Sequence, residues 1–197
     1  MERNYKGVVL KQSIFYNCHY ALRFDLHDND GIDYFNHTGE DAYFTEGLNR
    51  AKELFDAVFH DCREVYFIYR SGKIRFADKI FRTISELKRD EIDIFEENGI
   101  YEENFKTALA VIKLGIDRIN YESILESINN SDFPDRRPRT EGEVYFIQRE
   151  KEMIFSMYDD RGLDIIGTNK ETLEPFYIKY NEWLLDYDRD KMDGVFQ

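Results

Sequence analysis

The segment best suited to chemistry is Tyr158-Asp159-Asp160-Arg161-Gly162. It places two carboxylates and a guanidinium at the end of an apolar run, where one carboxylate can act as a general base while the guanidinium binds an anion. Tight turns use the same residue types, because Asp and Gly suit turn geometry and Arg can pair with Asp. We favour the turn and retain the catalytic role as the alternative.

A second group has the residue types of a zinc site: Cys18, His19, His60 and Cys62. No CxxC or HxxxH pair occurs in the sequence. Cys18 and His19 are neighbours on a predicted strand, so their side chains point to opposite faces. We therefore interpret the cysteines as small buried apolar residues and the histidines as surface or helix-end residues.

The segment Asp186-Tyr187-Asp188-Arg189-Asp190 matches the first ligand positions of a calcium loop. Lys191 and Gln197 stand where such a loop needs a glycine and a bidentate glutamate. We interpret the segment as a solvated helix end, and we interpret in the same way the acidic group Asp28, Asp30 and Asp33 around Gly31. The sequence predicts no metal site and no cofactor.

Three arginines, Arg136, Arg137 and Arg139, lie close together in an otherwise acidic chain. Guanidinium groups bind phosphates and carboxylates, so this cluster is a candidate anion site. Three acidic residues in the same window oppose its charge, namely Asp132, Asp135 and Glu141. We favour ion pairing with acidic residues across this segment.

Composition excludes several classes of protein. The chain has 197 residues, 42% hydrophobic and 16% aromatic, which is enough to bury a core and rules out a disordered chain. No apolar run reaches the ~20 residues that span a bilayer, and the N-terminus lacks the pattern of a signal peptide. A net charge of −13 argues against nucleic acid and anionic membranes as partners. Two cysteines without disulfide-like spacing indicate the cytoplasm.

Familiar catalytic motifs are absent from the sequence. It contains no GxGxxG, GxxxxGK[ST], GxSxG, HExxH or CxxC. These absences remove the common nucleotide-binding loops, the serine nucleophile elbow and the zinc-protease helix. An enzyme that uses carboxylates alone stays open, although nothing in the sequence requires one.

Hydrophobic spacing predicts the elements that must position these residues. A strand with one buried face is expected over 14–26, with Arg23 on its polar side, and a turn over 27–31. Thr38 and Asp41 have the spacing of a capping box for a helix that ends near His60. Further along the chain we expect a buried strand at 65–69, a helix over 77–87 and a short strand at 91–95. The spacing over 107–114 fits a helix or a strand, and Asn120 is expected to cap the helix that follows.

The segment 131–142 is a candidate linker, because it holds two of the three prolines. It divides an N-terminal α+β part (1–130) from a C-terminal unit (143–197), with one continuous domain as the alternative. The C-terminal unit is predicted to be β-β-β-α, with strands at 144–149, 153–158 and 163–166. Its helix is opened or kinked by Pro175 and carries an aromatic stripe at Phe176, Tyr180, Trp183, Leu184 and Tyr187.

The C-terminal segment 142–190 resembles a bacterial family known only as a domain of unknown function, number 3885. The resemblance lies in a strand followed by Tyr158-Asp159-Asp160-Arg161-Gly162, then a strand and a helix with Trp183 and Asp186-Tyr187-Asp188. The segments FYNCHYALRF and REVYFIYR are similar to N-terminal parts of longer members. The resemblance implies a bacterial, cytosolic protein, and it supplies no activity, cofactor or catalytic residue.

Together these patterns predict an α+β fold, with a mainly antiparallel sheet and helices packed on its faces. The leading functional hypothesis is a protein-binding module that meets a basic protein, with an immunity or antitoxin-like protein as its most specific form. The alternatives are a carboxylate-based enzyme or a small-ligand site around Asp159-Asp160-Arg161, and a ligand pocket between the two halves. The candidate residues are Tyr158, Asp159, Asp160, Arg161, Trp183, Asp186 and Asp188.

Overall fold

The computed structural model describes residues 10–11, 14–28, 31–98 and 106–197. Seven strands form one sheet, entirely antiparallel, with helices packed against it, which confirms the predicted α+β class. The strands are β1 (Ala21–Asp25), β2 (Glu64–Ser71), β3 (Asp93–Asn98), β4 (Lys106–Gly115), β5 (Glu143–Gln148), β6 (Met153–Met157) and β7 (Gly162–Ile166). The helices are α1 (Gly31–Thr38), α2 (Glu40–Phe59), α3 (Tyr121–Asn129), α4 (Lys170–Lys179) and α5 (Arg189–Phe196).

The sheet has the order β1-β7-β6-β5-β2-β4-β3, so it joins strands from both halves of the chain. β5 pairs with β2, placing Phe67 opposite Phe146, and β7 pairs with β1, placing Phe24 opposite Leu163. The segment 131–142 connects α3 to β5. The division at this segment stays a prediction.

Helix α2 provides much of the core on one face of the sheet. Its predicted apolar stripe is buried at Phe44, Ala51, Phe55 and Val58. The ring of Phe55 contacts Phe146 and Phe155 with centroid distances of 5.0 and 5.3 Å. Burying each such ring stabilises the fold by about 2–3 kcal/mol relative to leaving it in water. None of the helices in the described residues is long and apolar enough to cross a membrane.

The N-terminal part departs from the sequence prediction in three places. Ile14–Asn17 forms a 3-10 turn, so the strand over 14–26 is shorter than expected and begins at Ala21. Helix α1 was not predicted. Thr38 does not cap α2: its hydroxyl donates to the carbonyl of Tyr34, and Gly39 precedes the helix with φ of 86°, which favours glycine.

The middle of the chain is mostly as predicted. The strand at 65–69 lies within β2 in the sheet interior, and the undecided segment 107–114 lies within β4. Asn120 caps α3 by accepting a hydrogen bond from the backbone N–H of Ser123 at 3.1 Å. The helical spacing over 77–87 corresponds only to a 3-10 helix at Lys79–Thr83.

The C-terminal unit has the predicted order of three strands followed by a helix. Its aromatic stripe, however, does not lie on one helix. α4 begins at Lys170, capped by Asn169, so Pro175 lies inside the helix rather than at its start. α4 ends at Lys179, and two 3-10 turns at Asn181–Trp183 and Asp186–Asp188 precede α5. Tyr187 is consequently 88% exposed.

Candidate functional site

The turn between β6 and β7 is closed by its own first aspartate. The carboxylate of Asp159 accepts hydrogen bonds from the backbone N–H and the Nε of Arg161, at 2.8 and 3.1 Å. Asp159 is buried while the side chain of Arg161 is largely exposed. This local pairing is the bracing role that turn chemistry predicts for Asp and Arg.

The second aspartate of the turn connects it to α2. The carboxylate of Asp160 accepts a hydrogen bond from the hydroxyl of Tyr43, and its backbone carbonyl lies 2.9 Å from Nε2 of His27. The rings of His27 and Tyr43 stack with centroids 3.8 Å apart. The turn therefore packs against α2 and the segment that follows β1.

Burial controls the ionisation of this group. Desolvation raises the pKa of the Asp160 carboxyl and of the Tyr43 hydroxyl, and it lowers the pKa of His27 below its ordinary value of 6.5. Because a carbonyl only accepts, Nε2 of His27 carries a proton. In the described part of the chain, Nδ1 of His27 has no hydrogen-bond partner. A second proton there would be buried without an acceptor, which agrees with the lowered pKa.

Gly162 is needed for space and not for a left-handed backbone. A Cβ at this position would overlap the hydroxyl of Tyr158 and lie 2.7 Å from the backbone oxygen of Phe24. Gly162 is not among the residues with positive φ. The sequence therefore identified the turn correctly but gave a different reason for its glycine.

A buried ion pair lies beside this turn, and sequence reasoning missed it. The guanidinium of Arg23 on β1 binds the carboxylate of Asp164 on β7 at 2.7 and 2.9 Å. The two residues are directly opposite each other in the strand register. Asp188 lies 3.5 Å from Arg23 and also accepts a hydrogen bond from the hydroxyl of Tyr16 at 3.0 Å. Arg23 is thus buried, contrary to its predicted place on a polar face.

Aromatic rings complete the surroundings of Arg23. Its guanidinium carbon lies 4.8, 4.7 and 5.2 Å from the ring centroids of Phe15, Tyr16 and Tyr158. Cation–π contacts of this kind offset part of the cost of burying the charge. Desolvation raises the pKa of Tyr158, so the phenol stays neutral. This cluster joins β1, β7 and the turn that precedes α5.

The structure brings together only some of the predicted residues. Tyr158 and Asp188 meet through Arg23, and Asp159 and Asp160 lie at the adjoining turn. Trp183 stacks on Tyr180, with centroids 5.1 Å apart, and covers the guanidinium of Arg50. The carboxylate of Asp186 is 98% exposed and lies 3.7 Å from Arg189. The seven candidates therefore do not form one site.

Metal-ligand types converge at one place in the described residues. One carboxylate oxygen each from Asp132, Asp159 and Asp160 lie within 4.8 Å of one another. Asp159 and Asp160 already accept hydrogen bonds from Arg161 and Tyr43. The four residues of the zinc-like group do not converge, since Cys18 and Cys62 are buried and His19 and His60 are exposed. In the acidic group around Gly31, Asp30 lies outside the described residues.

The arginine cluster at 136–139 separates in the structure. Arg136 pairs with Glu40 of α2 at 2.8 Å, so it forms an ion pair as predicted, but with a carboxylate outside the segment. Its guanidinium carbon lies 3.8 Å from the ring centroid of Phe44. Arg139 pairs with Glu141 at 3.5 Å. Arg137 instead donates to the backbone carbonyl of Pro134 at 2.6 Å.

A shallow, open groove of about 810 Å³ lies along α2. We call it the acidic groove. Its walls come from α1, α2, the segment after β1 and the 3-10 turn at Asn181–Trp183. Five carboxylates and two aromatic rings are prominent in its lining: Asp28, Asp41, Glu46, Glu53 and Glu182, with Tyr34 and Trp183.

Among the residues that the structure describes, Arg50 is the one cation in the lining of the acidic groove, and it is already neutralised. Arg50 is buried, and its guanidinium binds the carboxylates of Asp28 and Glu46, the latter at 2.9 Å. Its carbon lies 5.1 Å from the ring centroid of Trp183. Glu53 lies 3.7 Å from Lys179. Asp41 and Glu182 have no cation within 4.0 Å in the part of the chain that the structure describes. The groove therefore presents net negative charge beside two aromatic rings.

Comparison with known proteins adds a family but no activity. One relative is the uncharacterized protein YnaE of Bacillus subtilis (strain 168), which is 34% identical over 70 residues. That match covers 32% of this chain and 32% of the relative. No solved structure matches the chain. The sequence model described as "Domain of unknown function (DUF3885)" matches residues 1–188, and the chain therefore belongs to that family.

Proposed function

We propose that this protein is a protein-binding module whose acidic groove receives lysine and arginine side chains of a basic partner protein. The observation that carries the proposal is the lining of the groove, in which five carboxylates surround a single cation that is already paired. Carboxylates attract basic groups, and like-signed walls focus that attraction within a concave surface. The excess of acidic residues over the whole chain acts in the same direction.

The aromatic rings of the groove suit the same partner. Tyr34 and Trp183 are partly exposed in the lining, and aromatic residues of this kind are frequent anchors at protein interfaces. A hydrogen bond with Glu46 raises the pKa of the Tyr34 hydroxyl, so this ring stays neutral. In its most specific form the module is an immunity or antitoxin-like protein that neutralises a basic toxin. We place this encounter in the cytoplasm, in line with the two free cysteines.

The catalytic alternative at Asp159-Asp160-Arg161 has weaker support. A raised pKa of Asp160 suits a general acid, but its carboxylate is bound to Tyr43, and that of Asp159 is bound to Arg161. The three residues do not line the acidic groove. The small cavity beside Tyr158 has a volume of about 40 Å³, which is room for a water molecule and not for a substrate.

The test is affinity capture from the native cell with two matched double variants. Asp41→Lys/Glu182→Lys reverses two exposed charges of the groove, and Glu171→Lys/Glu96→Lys reverses two exposed charges elsewhere. Both variants have the same net charge, and each loses one acidic residue from the first turn of an α-helix. A stoichiometric basic protein should bind the wild type and the second variant and associate about tenfold more slowly with the first.

Two outcomes would contradict the proposal. One is that no stoichiometric protein is recovered with the wild type. The other is a partner that binds the groove variant as well as it binds the control, which would move the interface elsewhere. A captured partner that is a secreted toxin encoded by a neighbouring gene would support the immunity form.

A further inference from the structure

A second concave surface has the opposite charge. It is a cavity of about 510 Å³ between the end of β2, the segment 73–83, the start of α3 and the segment 137–141. We call it the basic cavity. Six cationic side chains contribute to its lining: Lys73, Arg75, Lys79, Arg82, Arg137 and Arg139. Of the carboxylates in the described ranges, only those of Asp78 and Glu141 share that lining.

Three of these cations are available to a ligand. Lys73, Lys79 and Arg82 are exposed at the cavity, and within the described ranges none has a carboxylate within 4.0 Å. The two acidic residues are already engaged, because Asp78 pairs with Arg75 at 3.3 Å and Glu141 pairs with Arg139 at 3.5 Å. The positive charge of the cavity is therefore not balanced by its own walls.

We propose that the basic cavity binds a small ligand that carries at least two phosphoryl groups. Six cations against two carboxylates leave an excess of four positive charges, which a diphosphate or triphosphate chain can neutralise within a small volume. Guanidinium groups bind phosphoryl oxygens through paired hydrogen bonds, and ammonium groups bind them as point charges. A single carboxylate would leave most of this charge unmatched.

Other groups of the lining suit the same ligand. The hydroxyl-bearing residues Ser71, Ser123 and Thr140 line the cavity and can hydrogen-bond phosphoryl oxygens. Asn120 and Ser123 place the first turn of α3 at the wall, where the helix dipole favours negative charge. Tyr69 and Ile80 also line the cavity, and although both are mostly buried, their exposed edges give an organic ring attached to the phosphates an apolar contact.

The size and setting of the cavity favour a small molecule over a nucleic acid. Its volume lies within the range of about 300–1,000 Å³ that small-ligand sites occupy. A nucleic acid would follow an extended basic surface, whereas these six cations converge in one cavity. This inference does not depend on the acidic groove, which is lined by different residues.

Calorimetric titration of the full chain tests the proposal with three probes. Inorganic tripolyphosphate measures the contribution of the phosphate chain, ATP adds a base and a sugar, and a single-stranded RNA oligomer tests a polymer. We expect tripolyphosphate to bind with one-to-one stoichiometry and to bind more weakly as salt is added. Tighter binding of ATP than of tripolyphosphate would assign the apolar wall to an organic ring, and equal binding would assign recognition to the phosphates alone.

Matched variants locate the site. Lys79→Glu/Arg82→Glu reverses two unpaired cations of the cavity, and Arg63→Glu/Arg149→Glu reverses two exposed arginines outside its lining. Both variants have the same net charge. The cavity variant should lose at least about tenfold in affinity, and the control should stay within about twofold of the wild type. Lys79→Gln/Arg82→Gln removes the two positive charges without adding negative ones, so its loss of affinity should be smaller than that of Lys79→Glu/Arg82→Glu.

Three results would overturn the proposal. The first is no binding of tripolyphosphate or ATP by the wild type at low salt. The second is an equal loss of affinity in the cavity and control variants, which would reduce the effect to net charge. The third is binding of the RNA oligomer alone.

Discussion

Replacing Asp164 with asparagine should destabilise the fold strongly, because it removes the main partner of a buried cation. The side chains of Arg23 and Asp164 are 7% and 1% exposed, and they share two hydrogen bonds of 2.7 and 2.9 Å. In Asp164→Asn the one carboxylate among the described residues that remains within 4.0 Å of the guanidinium is that of Asp188, at 3.5 Å. It must otherwise remain charged among aromatic rings.

The magnitude follows from the environment of the pair. Removing one partner of a buried ion pair costs about 3–5 kcal/mol, because the remaining charge is left uncompensated. Asp188 and the cation–π contacts reduce this cost, so we expect about 3 kcal/mol for Asp164→Asn. The double variant Arg23→Met/Asp164→Leu removes the cation together with its main partner and should be less destabilised than the single variant. It should not be neutral, because the buried carboxylate of Asp188 loses its contact with Arg23.

Urea unfolding followed by circular dichroism measures these differences. With a slope of about 1–3 kcal/mol per molar urea, the single variant should lower the midpoint by about 1–3 M. Asp186→Asn is the matched control, because that carboxylate is 98% exposed and its removal should leave the midpoint unchanged. A single variant that loses less than about 1 kcal/mol, or a double variant that is no more stable than the single one, would refute the reasoning.

Two further predictions concern the turn and the groups that hold it. Gly162→Ala should destabilise the fold by about 1–3 kcal/mol and lower the melting temperature, because the new Cβ meets backbone that cannot move easily. Gly72→Ala is the control: its new Cβ has no atom within 4 Å, so this variant should melt like the wild type. Burial lowers the pKa of His27 below 6.5, so in mild acid the unfolded chain binds a proton at His27 and the folded chain does not. The free energy of unfolding should therefore fall as the pH drops below 6.5, and His27→Gln should show a shallower fall; parallel pH profiles would contradict this.

Sequence patterns predicted most of the sheet because they report burial through apolar spacing. β2 and the C-terminal meander are rich in apolar and β-branched residues, and α2 has a clear helical stripe, whereas the segment of β4 has no spacing that distinguishes a strand from a helix. Helix α1 was missed because it has eight residues and rests against α2, so its stability comes from packing rather than from local preference. The capping box failed for a related reason: Thr38 already completes α1.

The buried ion pair shows why part of the candidate site could not be predicted. The alternating polarity of the strand predicts that Arg23 faces solvent, because the sequence does not distinguish a buried arginine from an exposed one. Its partner lies 141 residues away, and only the pairing of β1 with β7 brings the two together. A lone aspartate inside the apolar strand Leu163–Ile166 was the available signal, because an unpaired charge there would be too costly.

The net charge of this protein does not show where its charged residues lie, and their positions determine what the protein can bind. A value of −13 argues against a polyanionic partner only if the charges are evenly spread. The structure separates them: carboxylates surround Tyr34 and Trp183 in the acidic groove, and six cations converge in the basic cavity. Two concave surfaces of opposite sign can recognise different partners on one fold, because each field is screened within about 8–10 Å at physiological salt. The relevant unit for functional inference from charge is therefore the single concave surface and not the whole chain.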